Sequence, residues 1–325
     1  MEDYKDKEVK RCCKEDKGKW VEDKLQEAEL AASKGDSKTL FRIAKDLSGR
    51  PKNHMAPVKK ANGTTTNTEA EQHARWKEHF EQVLNCPELE IKHDFSNDDV
   101  FQLDVISEPV TSAEIQKAIK NLKNGKSAGI DGIPAELLKA GGDVAVEHLR
   151  ALCNMVWEAE KVPTVWKDSI LIPLLKKGNL TECANWREIA LLSIPGKVLT
   201  SIMLSRMRDA ADTLLCEEQA GFRQHRLCCE QIFTLRQIIE KMEACNKPAY
   251  INFINFKKAF DCIHRDTLWD IVCCYGIPRK IINIMKSLYE NSRCTVRVNG
   301  TLGYWFKVYS GVRQGCLLSP LYLQL

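Results

Sequence analysis

The sequence has no run of about 18 apolar residues, so no membrane-spanning helix is expected. Its opening stretch, MEDYKDKEVKRCCKED, is charged and lacks the apolar core of a secretory signal, which points to an intracellular protein. Cys-x-x-Cys does not occur, although the chain holds 14 cysteines. Cys12-Cys13, Cys228-Cys229 and Cys273-Cys274 are adjacent pairs, a placement that suits neither a disulfide framework nor a zinc site. A reducing compartment with most thiols free is therefore expected. Internal repeats and low-complexity tracts are absent. A P-loop is absent too: Gly125-Lys126-Ser127 has Lys120 where that motif requires glycine. Charge of one sign is also lacking, since the net charge is only +4.

What is present allows a sizeable core. The chain has 325 residues, 44% of them hydrophobic, enough for one large domain or two ordinary ones. Its charge is uneven. Residues 1–60 carry 16 Lys and Arg against 12 Asp and Glu, and residues 251–325 carry 10 against 4. The middle is correspondingly acidic. A basic C-terminal third fits either a polyanionic partner or a mixed solvated surface.

The pattern is helical over residues 1–50, with Leu25, Leu30, Leu40, Ile43 and Leu47 as apolar positions and a break at Gly35-Asp36-Ser37. A polar linker over 49–67 precedes a helix with Trp76, Phe80, Val83 and Leu84 on one face. Thr111-Ser112-Ala113-Glu114 fits a capping box, followed by Ile115, Ala118, Ile119 and Leu122 at helical spacing. "KNGKSAGIDGIP" is a tight basic loop, with Pro134 suited to the first position of the next helix. Further expectations are a helix over 144–160, a strand Ile170–Leu175, a helix from about Pro195, and a long helix after Arg226. "YINFINF", Tyr250 to Phe256, is rich in β-formers and reads as a buried strand entering a helix. Asn255 stands out in it. An asparagine at a strand end is common, so that reading and a functional one both stand at this point.

Five segments together resemble the reverse transcriptase of non-LTR (LINE-type) retrotransposons, in the family's order across about residues 105–325. "KNGKSAGIDGIPAELLK" resembles its opening fingers segment and "LIPLLKKGN…NWREIALLS" its first fingers hairpin. "EEQAGFRQHR" resembles Q-x-G-F-R-x-G-R-S, "INFKKAFDCIH" the palm motif D-x-x-K-A-F-D, and "SGVRQGCLLSP" the loop G-x-x-Q-G-x-x-x-S-P. The resemblance implies an α+β fold. It would comprise the fingers and partial palm of a right-hand polymerase, preceded by a helical spacer. Residues 1–95 are the expected spacer and 96–325 an incomplete reverse transcriptase domain, fingers over 96–247 and partial palm over 248–325. The implied partners are an RNA template, a DNA primer and a deoxynucleoside triphosphate, and the implied cofactor is Mg²⁺, held by anionic oxygens.

Asn255 then stands where the family carries its first catalytic aspartate. Asparagine keeps one carbonyl oxygen and loses the charge, so it cannot bridge two cations. No productive metal site is expected. Asp261 is not a metal ligand in the family, and a helix cap is its expected role. The family's x-A-D-D hairpin does not occur, and the chain is expected to be a truncated or degenerate, inactive piece. Among the remaining motif residues, Phe260 would gate against the sugar 2′-OH or lie buried beneath the helix. Ala259 would leave room for the sugar. Gln314 and Gly315 would lie along the nucleotide and template. Lys176, Arg187 and Arg223 would contact phosphates or sit on a solvated surface. Glu188, beside Arg187, would repel a triphosphate. The alternatives are a non-catalytic RNA- or DNA-binding module derived from such an enzyme, and a group II intron maturase-like splicing factor.

Overall fold

A computed structural model describes residues 2–47, 55–87, 102–256 and 258–324. Two compact units separate, Met1–Met55 and Ala56–Leu325. The break falls at 55/56, within the expected spacer 1–95, and the helix Glu69–Leu84 packs on the sheet of the larger unit.

In the smaller unit, α1 (Glu2–Ser33) and α2 (Ser37–Leu47) form a helical hairpin, broken where the Gly35-Asp36-Ser37 signal places the break. The Asp36 carboxylate accepts from the Thr39 N–H at 3.1 Å and starts α2. Ile43 and Ala31 are buried, whereas Leu25 and Leu30 are exposed. Arg42 of α2 donates to Glu27 of α1 at 2.7 Å.

The larger unit holds α3 (Glu69–Leu84), α4 (Ser112–Lys120), α5 (Ala135–Ala140), α6 (Gly142–Ala159), α7 (Thr164–Lys167), β1 (Ser169–Leu175) and β2 (Trp186–Leu191). After these come α8 (Ile194–Asp212), α9 (Cys228–Ala244), α10 (Arg265–Cys274), α11 (Arg279–Tyr289), β3 (Arg293–Val298), β4 (Thr301–Leu302), β5 (Phe306–Lys307) and α12 (Ser319–Gln324). The Thr111–Glu114 capping box forms as its spacing requires. Pro134 stands just before α5, as its N-cap. Ser193 opens α8 by accepting from the Gly196 N–H at 3.2 Å.

One mixed sheet runs β2-β1-β3-β4, with β5 also on β3. β1 pairs antiparallel with β2 (Pro173 opposite Glu188, Leu174 opposite Arg187) and parallel with β3. On this sheet α3 buries Trp76 and Phe80 completely, and Trp76 meets the edge of Trp186 at 5.6 Å.

Two expectations are overturned. Tyr250–Phe256 forms no strand: it is irregular and exposed along its whole length. β1 is paired on both sides, and β3 carries β1 on one side and β4 and β5 on the other. At the outer edge of β2 the Gln314 carbonyl takes the Ala190 N–H. The segment finds no ladder to join, and an unpaired strand is not stable in water. Secondly, Cys86 and Cys262 form a disulfide with Cα atoms 5.5 Å apart. The fold brings together two cysteines 176 residues apart in sequence, which spacing rules for local pairs do not detect.

Candidate functional site

The β1–β2 hairpin sorts its side chains by strand alternation. Arg187 projects to the exposed face, and Lys176, two residues beyond its partner Leu174, follows that parity at the open end. Glu188 points the other way, into the interior with Ala190. The expected repulsion between Glu188 and a triphosphate held by Arg187 is therefore not set up, because adjacent strand residues face opposite sides.

Three chain segments meet over the buried face of β2. The loop before α12 arrives first: the Ala190 N–H donates to the Gln314 carbonyl at 2.9 Å. Gly315 follows with φ +127°, and a Cβ there would lie 2.7 Å from the Ala190 oxygen, so only glycine fits. The turn Lys258–Cys262 comes second. The Val312 N–H donates to the Phe260 carbonyl at 2.7 Å and the Gly311 N–H to the Ile263 carbonyl at 2.8 Å. Third is the end of α3, fixed by the disulfide and by Ser310, whose hydroxyl reaches the carbonyls of Leu84 and Asp261. Ala259 and Phe260 are half-buried in this junction.

Asp261 is buried in the turn and caps no helix. His264 takes that role, its ring nitrogen accepting from the Thr267 N–H at 3.3 Å. Asp261 instead accepts from the Gln314 amide at 3.1 Å and is hydrogen bonded to Glu188. Burial and the Asp261 charge push the Glu188 carboxyl up to about 7. Burial also raises Asp261, against the pull of Gln314, Glu188 and Lys258. A cavity of about 30 Å³ lies beside Glu188 and Gln314, room for a water by size.

Ala259, Phe260, Gln314 and Gly315 are thus brought together. Asn255 lies outside, on the exposed segment. Arg223 is tied to Asp212 by two bonds of 2.7 and 2.9 Å and to the Cys216 carbonyl. The pairing of Glu188 with Asp261 escaped the sequence reading. Period-2 alternation along "REIAL" was the available signal, since it turns Glu188 to the side of Ala190.

Residues 174–325 match the family described as reverse transcriptase (RNA-dependent DNA polymerase). The chain is 27% identical, over 97% of its length, to a Drosophila melanogaster protein described as a probable RNA-directed DNA polymerase from transposon BS. It is 24% identical over 65% of its length to a 149 kDa protein of transposon TX1 from Xenopus laevis. Against the RNA-directed DNA polymerase from mobile element jockey of Drosophila funebris the figures are 25% and 68%. Over residues 174–325 the chain thus matches the reverse transcriptase family, and the relatives it resembles are proteins of non-LTR retrotransposons. The chain spans 35, 16 and 24% of those three relatives' own lengths.

The family uses Mg²⁺, and the donor set here does not fit it. Two-metal chemistry requires hard anionic oxygens converging on one point. Asn255 offers a neutral carbonyl on an unpaired segment. Among the described residues no cluster of three His, Cys, Asp or Glu side chains could hold a metal ion. The buried carboxylates of Glu188 and Asp261 are hydrogen bonded to each other.

Proposed function

We propose that this chain is part of a retrotransposon RNA-directed DNA polymerase that holds template and primer but does not polymerise. The observation that carries the reading is Asn255 at the family's first catalytic aspartate. A neutral amide cannot supply the anionic oxygen that two divalent cations share. In this reading residues 96–247 are fingers and 248–325 a part of the palm. Phe260 and Ala259 flank the sugar of a deoxynucleotide, and Gln314 and Gly315 line the nucleotide and template. Lys176 and Arg187 meet phosphates from the open face of the hairpin. Arg223 contributes least, because Asp212 already occupies its guanidinium.

Primer extension tests it. Purified protein with an RNA template, a DNA primer, deoxynucleotides and Mg²⁺ or Mn²⁺ is expected to add no nucleotide. Asn255→Asp is expected to remain inactive, since one restored carboxylate does not make a two-metal site. Template-directed extension by the unaltered chain would overturn the reading.

A further inference from the structure

Glu188 and Asp261 face each other where the Lys258–Cys262 turn meets β2. They are 5% and 6% exposed. Two carboxylates can hydrogen bond to each other only when one keeps a proton. Little nearby charge offsets a second negative charge. Lys258 acts on both, but its side chain is exposed. Arg265 lines the adjoining cavity, yet its guanidinium donates to the carbonyls of Tyr289, Val308, Ser310 and Gly311. From β3 the buried Cys294 lines the same cavity as Glu188, its thiol 3.0 Å from the Ser169 hydroxyl. From the loop, Gln314 bonds to Asp261. Glu188 Oε1 is buried with no hydrogen-bond partner, so an ionised Glu188 would leave an uncompensated charge in the interior.

We propose that Glu188 and Asp261 are positioning residues forming a one-proton latch, which fastens the turn bearing Ala259 and Phe260 and the loop bearing Gln314 onto β2 and opens when the proton leaves. Turn and loop move as one because the Val312 N–H is bonded to the Phe260 carbonyl and the Gln314 amide to Asp261. The direction of the pH dependence follows from proton counting. The closed state keeps its proton up to about pH 7, whereas solvated carboxyls in an open state release theirs near the ordinary 4.5. Between those values the closed state binds more protons, so closure is favoured at low pH and weakens as pH rises toward 7. The consequence for nucleic acid rests on the function proposed above. An open latch would no longer hold Gln314 and Phe260 in place.

Amide hydrogen exchange on the full chain, from roughly pH 5.5 to 8 with intrinsic rates divided out, tests the latch without any nucleic acid. Protection of the Asp261, Cys262 and Val312 amides is expected to fall at least about tenfold across that range, since each pK unit is a factor of ten. Amides inside α8 should stay constant. Glu188→Gln donates to Asp261 without needing a proton and should hold protection high and flat. Asp261→Asn makes the same change from the other side if the first variant does not fold. Flat protection in the native chain, or an unchanged pH response in a folded Gln or Asn variant, would overturn the latch. A second arm measures RNA–DNA duplex affinity over the same range. It should fall with pH in the native chain and not in Glu188→Gln. Absence of binding at every pH would count against the proposed function, while the exchange result would still decide the latch.

Discussion

Three arginines of this chain serve as internal staples. Arg206 donates to both oxygens of Glu114, at 2.6 and 2.8 Å, and to the carbonyls of Ile106, Glu108 and Pro109. Its guanidinium lies 4.8 Å from the Trp157 ring centroid. Arg265 and Arg313 likewise donate to backbone carbonyls, and each lies 5.0 Å from the Tyr289 ring centroid. Such a side chain satisfies carbonyls that no helix or sheet uses, so its loss leaves several acceptors and a carboxylate without partners. Arg206→Ala is expected to cost about 3 kcal/mol, read as a fall in Tm. A pH series adds a second readout. Burial would raise Glu114, but Arg206 and Thr111 outweigh it and hold the carboxyl at about 2, below its ordinary 4.5. The native chain therefore keeps this stabilisation above about pH 4.5 and loses it as pH falls toward 2. The variant should lose much less over that interval, and an unchanged acid limb would contradict the assignment.

At the scale of elements, α9 and the segment after it depart most from ordinary packing. None of the described residues of α9 is buried, and Ile232 and Phe233 are largely exposed. Tyr250 and Phe253 are 94% and 80% exposed. β-Formers without charge or proline make an aggregation-prone window when they stay unpaired. Substituting Ile254→Lys is expected to raise the concentration at which the protein stays monomeric, with Tm changed by no more than about 0.5 kcal/mol equivalent, because no folded contact is lost. Trypsin should cut first near Lys247, ahead of any site in the β1–β2 hairpin. Equal resistance of the two regions, or a large drop in Tm for Ile254→Lys, would show that the segment is packed after all.

At the scale of the whole molecule, charge count and usable charge differ. Residues 251–325 contain ten Lys and Arg, but Arg265 and Arg313 are spent on backbone carbonyls and Arg293 on Asp168 at 2.6 Å. Binding to an RNA–DNA duplex should accordingly be weak and only moderately salt-sensitive. A log–log slope of roughly −2 to −5 is expected, against about −9 if ten cations each met a phosphate. A flat response, or one as steep as the composition allows, would contradict this charge bookkeeping. Sequence by itself determined the order of the motifs, the family they resemble, the capping box at Thr111 and the break at Gly35, because each is written in neighbouring residues. It also determined that Asn255 lacks a charge. Tertiary structure alone decided that Glu188 meets Asp261, that Cys86 reaches Cys262 and that Arg265 turns inward. It decided too that Tyr250–Phe256, a strand by composition, stays unpaired. Those outcomes depend on which strand edges are free and which distant segments meet, and local propensity carries no record of either.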